Sequence, residues 1–192
     1  MGVLDELELL EPHDRGEWRA WLERNAAAAP SVWLAIGKKG GAVTTLSYEQ
    51  AVEEALCFGW IDSTVRKLDE HRFKQLYSCR KPNSTWSRIN KERVARLEAE
   101  GKMAPAGLAA IEVAKANGSW SALDHVEEMI VPDDLARALA SNPRARENFE
   151  SFSPSARKAF LYWISNVKSP AKRAERIAET ARRASEGRRL TD

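Results

Sequence analysis

The sequence predicts an α+β fold that is predominantly helical: a small, mainly antiparallel sheet flanked by helices, followed by a C-terminal helical module. Three observations carry this. Val32-Trp33-Leu34-Ala35-Ile36 is an unbroken apolar run between Pro30 and Gly37, and its length and β-branched content mark a buried central strand. Two strand-like stretches, Ile61 to Leu68 and Arg72 to Arg80, meet at Asp69-Glu70 and read as a hairpin. From Pro132 onward the pattern is helical, and proline follows Asn142, Ser153 and Ser169 as it does at helix starts.

Taken in order, Leu4 to Leu10 is a short acidic stretch that reads as a strand or an arm. Asp14 and Glu17 have the spacing of a capping box. The helix behind them aligns Trp18, Trp21 and Leu22, continues through Ala26 to Ala29 and stops at Pro30. Lys38-Lys39-Gly40-Gly41 is a glycine-rich loop without P-loop spacing. Ser47 and Gln50 form a second capping box. Its helix turns Ala51, Val52, Ala55 and Leu56 inward, leaves Glu53 and Glu54 to solvent, and ends at Gly59 as a left-handed C′ residue.

A hairpin centred on Asp69-Glu70 pairs residues whose numbers sum to 139. Trp60, Asp62, Thr64 and Arg66 then share a face with Phe73, Gln75, Tyr77 and Cys79, while Ile61, Val65 and Leu76 lie opposite with Lys67, Arg72, Lys74 and Arg80. After Pro82, Ser84 or Ser87 caps a helix that Gly101 ends. Pro105 starts another, with Leu108, Ile111 and Val113 expected in the core, and Trp120 folds back onto this domain. Ser121 to Ile130 reads as a linker. The last four helical segments carry Leu135 and Leu139, then Phe149 and Phe152, then Phe160, Trp163, Ile164 and Val167, then a seam of Ala174, Ile177, Ala181 and Ala184.

At 192 residues the chain divides into an expected α+β domain over 1–125 and a helical module over 126–192. Hydrophobic content of 43% and charge of 30% describe a globular protein in solution. No apolar run approaches the ~20 residues that span a bilayer, so no membrane insertion is expected. The acidic start carries no secretory pattern, and two cysteines make no disulfide framework, so the expectation is a cytoplasmic protein. Residues 1–28 hold seven acidic and three basic side chains, whereas residues 155–189 hold ten basic and three acidic. That basic tail admits an anionic partner, complementarity with the acidic start, or a solvated helix face.

No catalytic motif assembles. His13, His71 and His125 are scattered, Cys57 reads as a small core hydrophobe, and neither cysteine belongs to a zinc pattern. No cofactor and no metal are implied. The strongest candidate is the helix start after the hairpin, where Arg80, Lys81, Arg88, Lys91 and Arg93 gather near free backbone N–H groups. A second is Asp62 on an aromatic-lined sheet face with Gln75.

Glu54-Ala55-Leu56-Cys57-Phe58-Gly59-Trp60-Ile61-Asp62 and Arg80-Lys81-Pro82-Asn83-Ser84-Thr85-Trp86-Ser87 resemble segments of the bacterial YdeI/OmpD-associated proteins, as does Gly101 to Leu108. Tyr162 to Pro170 and Lys172 to Ile177 resemble the bacteriocin-protection module of that family. The resemblance implies a role in tolerance of bacteriocins or antimicrobial peptides, reached through stress response or regulation. It implies no enzyme activity, cofactor or catalytic residue. The expectation is a non-enzymatic protein that binds an anionic small molecule or a protein partner. In it, Arg80 and Arg88 supply charge, Ser84 or Ser87 orients the anion, and Trp60 and Trp86 wall the site. The alternatives are nucleic-acid binding by the basic C-terminal helices, and an enzyme using Asp62.

Overall fold

The computed structural model describes residues 4, 6–38, 44–167 and 169–192, and the chain divides into units Met1–Ser121 and Ala122–Asp192. Among the described residues there are nine helices and one four-stranded sheet, an α+β fold that leans helical. The Lys38 to Gly41 loop lies largely outside the described residues. No described helix is long and apolar enough to cross a membrane.

The N-terminal unit is built on strands β1 (Leu9–Leu10), β2 (Ser31–Gly37), β3 (Trp60–Lys67) and β4 (Arg72–Cys79), in the spatial order β1-β2-β4-β3. β2 is interior and its apolar run is buried. It pairs parallel with β1 and antiparallel with β4. The acidic N-terminal stretch thus supplies an edge strand. Val32, Leu34 and Ile36 join Trp18, Leu22, Leu56, Trp60 and Tyr77 in one core. On the opposite face Trp33 is covered by Arg66 and Lys74, whose cationic groups lie 5.2 and 4.7 Å from its ring centroid. Its indole N–H donates to Leu4 O at 2.7 Å.

The hairpin keeps the expected register from Trp60↔Cys79 to Asp62↔Tyr77, then shifts by one. A bulge between Asp62 and Val65 adds a residue to β3, so Val65 faces Gln75 and Lys67 faces Phe73. The expected grouping is therefore corrected beyond the bulge: Val65 and Lys67 change faces, and Arg66 joins Lys74 over Trp33.

Helix α1 (Arg15–Asn25) starts with Asp14 accepting from Glu17 N, while Glu17 reaches back to His13 N. It ends at Asn25, and Ala26 to Ala28 form a turn rather than a continuation. Helix α2 (Tyr48–Cys57) has the full capping box of Ser47 and Gln50. Gly59 follows at φ +74°. The expectation that Glu54 faces solvent is wrong. Glu54 is 2% exposed and accepts from Arg15 at 2.5 Å and Arg19 at 2.8 Å. The two arginines sit one turn apart on α1 and form a cationic stripe that the α2 carboxylate enters.

Helix α3 (Arg88–Ala99) is capped by Ser87 and followed by Gly101 at φ +67°. Helix α4 (Pro105–Ala116) turns Gly107, Ile111 and Ala114 inward, leaving Leu108 and Val113 exposed against expectation. The cause is close approach: a Cβ on Gly107 would fall 2.2 Å from Cys57 O, so this face has to carry the glycine.

The C-terminal unit contains helices α5 (Asp124–Glu127), α6 (Asp133–Ala140), α7 (Pro143–Ser151), α8 (Pro154–Ser165) and α9 (Pro170–Ser185). The expected linker thus includes a short helix, and its Val126 enters the second core with Leu135, Leu139, Phe149, Phe160 and Ile164. Asn142, Ser153 and Ser169 each accept from the amide three residues on, with proline between. The buried seam of α9 is Ile177, Thr180 and Ala184, and Ala174 is exposed. Thr180 is tolerated because its hydroxyl donates to Arg176 O.

On α9, Arg182 and Arg183 hold the Glu179 carboxyl down to about 2. A carboxyl depressed in the folded state stabilises it above the ordinary pKa, and this contribution is lost as pH falls. The parent is expected to lose helix stability between about pH 4.5 and 2 more steeply than Glu179→Gln, as read by circular dichroism.

Candidate functional site

β4 ends at Cys79, and the next residue, Arg80, donates its backbone N–H to Gly59 O at 2.9 Å. Its side chain lies over Trp86 with the guanidinium carbon 3.6 Å from the ring centroid. Arg80 is only 9% exposed. Nη1 donates to Thr85 O at 3.2 Å, and the buried Nε has no partner. No carboxylate pairs with it among the described residues. Burial pushes its pKa down to about 10, against the opposing field of Asp62. A pocket of about 170 Å³ opens here, lined by Arg80, Lys81, Pro82 and Trp86 together with Ala109, Ala110 and Val113 of α4. Trp86 is fixed from another direction by Trp120, at 5.0 Å between ring centroids.

The pocket brings together Arg80 and Trp86 of the residues expected at this site. Ser87 uses its hydroxyl to cap α3, accepting from Asn90 N at 3.3 Å. Ser84 is half-buried in a turn whose amide donates to Lys81 O. Arg88 is largely exposed and lies 3.8 Å from Glu92. Trp60 is fully buried, with its indole N–H donating to Ala26 O and its ring edge-on to Trp21. The α4 lining was missed because periodicity marks large apolar residues as core, and here the wall consists of two alanines and an exposed valine. The adjacent small residues Ala109-Ala110 were its available signal.

Asp62 occupies a separate polar cluster. Its Oδ2 accepts from Tyr48 Oη at 3.0 Å and Gln75 Nε2 at 2.8 Å. Tyr77, opposite Asp62 in the ladder, has a buried hydroxyl without a partner. Burial, with the Asp62 charge adding to it, pushes that phenol pKa up. Tyr48 also lines a cleft of about 700 Å³ with Lys38, Thr44, Glu49 and Phe73. Asp62 therefore has polar groups in reach, but it is its partner Tyr48, not Asp62 itself, that lines this cleft.

In the C-terminal unit much of the basic charge is paired internally. Arg173 holds Asp134 through two contacts of 2.7 and 3.1 Å. Arg182 bridges Glu179 and Glu186, and Arg183 binds Glu179. Arg176 lies over Trp163 and donates to its carbonyl. Among the described residues no cluster of three or more His, Cys, Asp or Glu is placed to hold a metal. Cys57 is buried, and burial raises its thiol pKa.

Two families match the chain. Residues 10–110 match the family described as "Domain of unknown function (DUF8412)", within the N-terminal unit. Residues 128–187 match "Bacteriocin-protection, YdeI or OmpD-Associated", within the C-terminal unit. No curated protein and no solved structure matches. The segments Glu54 to Asp62 and Arg80 to Ser87 fall in the first match, and Tyr162 to Ile177 in the second. The chain thus belongs to the DUF8412 family through its N-terminal unit and carries a domain of the bacteriocin-protection, YdeI or OmpD-associated family in its C-terminal unit.

Proposed function

We propose that this chain serves bacteriocin tolerance as a non-catalytic binding protein that takes an anion at the Arg80–Trp86 pocket. The description of the C-terminal family supports the biological role. One observation carries the ligand-binding part: Arg80 is nine-tenths buried beside an opening, has no carboxylate partner and leaves Nε unpaired. An unpaired buried charge costs several kcal/mol, and stacking on an indole offsets only ~1–2 kcal/mol of that. An anion entering the pocket supplies the missing counter-charge to the guanidinium.

The pH behaviour has a definite sign. With its folded pKa pushed below the ordinary arginine value, Arg80 binds fewer protons in the folded than in the unfolded chain above about pH 10. Stability from this group rises with pH above that point, and the full cost of burial is carried at neutral pH.

The test is thermal unfolding of the parent and Arg80→Met at pH 7 and fixed ionic strength, with acetate or inorganic phosphate added. The parent is expected to gain stability saturably, by about 2.7 kcal/mol at 100 times Kd. Arg80→Met is expected to show no anion-dependent gain, and to be at least as stable as the parent without anion. Equal anion responses in the two proteins would refute the site. So would an Arg80→Met variant much less stable than the parent together with no anion response in either.

A further inference from the structure

We infer that the anion held at the Arg80–Trp86 pocket is a monocarboxylate bearing a short apolar group of about three carbons, rather than a phosphate. This rests on the anion-binding reading above and names its ligand class. The lining supplies two cations, the buried Arg80 guanidinium and the exposed Lys81. The rest of the wall is Pro82, the Trp86 ring and the short apolar side chains of α4.

A phosphate carries four oxygens, and in this wall some of them would face carbon, losing water without gaining a donor. A carboxylate has only two oxygens to satisfy, which suits a wall that offers one partly engaged guanidinium and the exposed Lys81. Size points the same way. An opening of about 170 Å³ takes a short chain, such as a three-carbon group, rather than a long one.

The experiment is calorimetric titration of the full chain at pH 7 and fixed ionic strength with acetate, propionate, butyrate, hexanoate and inorganic phosphate. Affinity is expected to rise about fourfold per methylene from acetate to butyrate, as each is buried. It should gain nothing further at hexanoate, where the pocket is full, and phosphate should bind no more tightly than acetate. Ala109→Leu, at an exposed position in the wall, should fold normally and abolish the butyrate advantage. A flat series, or phosphate tighter than every carboxylate, would overturn the ligand class. If binding in that case is still lost in Arg80→Met, the anion site itself stands. No binding by any of the five anions would overturn both.

Discussion

Glu54→Gln is expected to destabilise the N-terminal unit by about 3 kcal/mol, the lower end for breaking a buried ion pair from one side. The glutamine keeps the volume but presents one acceptor and an NH2 group to two guanidinium groups. Arg15 and Arg19 then lose the buried carboxylate they share, keeping only Glu53 and Glu23 respectively, and Arg15 already has a buried Nη2 without a partner. The lower end applies because both arginine side chains keep about 30% of their surface in water, and Glu53 still holds Arg15 at 3.0 Å. Urea unfolding should show a lower midpoint with unchanged slope. Replacing the group together, as Glu54→Leu with Arg15→Met and Arg19→Met, should recover most of the loss, since such residues are coupled and not additive. A loss below about 1 kcal/mol for Glu54→Gln would place the cluster with ordinary surface pairs.

Gly107→Ala is expected to cost about 3 kcal/mol, at the upper end for overpacking. The added methyl would sit 2.2 Å from Cys57 O and 2.7 Å from Cys57 C, and both are backbone atoms that no rotamer change can move aside. Helix α4 must lift from the end of α2, stretching the 3.0 Å bond from Ala104 N to Cys57 O. The melting temperature of the N-terminal unit should fall by roughly 10 °C. Ala116→Ser, on the exposed side of the same helix, should change it little. Equal melting for Gly107→Ala and the parent would mean that the α2–α4 junction has slack.

What could be read from the sequence was whatever depends on neighbours in the chain. The caps at Asp14, Ser47, Asn142, Ser153 and Ser169 are local hydrogen bonds, and their spacing announces them. The buried strand at Val32 to Ile36 and the first half of the hairpin register follow from pattern and turn position. The errors arise where a distant partner decides. Glu54 looked solvated because its arginines lie 35 and 39 residues away. Leu108 and Val113 looked buried because size was weighed over clearance, whereas Gly107 sets which face of α4 can approach α2. The bulge before Val65 leaves no residue-type signal in Ser63-Thr64. At the site, Arg80 and Trp86 stood out by type, but the small-residue wall opposite them is a tertiary fact.

The placement of the seven tryptophans has an optical consequence. Six of them, from Trp18 to Trp120, lie in the N-terminal unit, and Trp163 is alone in the C-terminal one. A Trp163→Phe chain would therefore have tryptophan emission from the N-terminal unit only. Subtracting its spectrum from the parent's isolates one indole, half-exposed beneath the Arg176 guanidinium. The two halves of the molecule carry separate fluorescent reporters without any label, so loss of structure in each can be followed in a single cuvette.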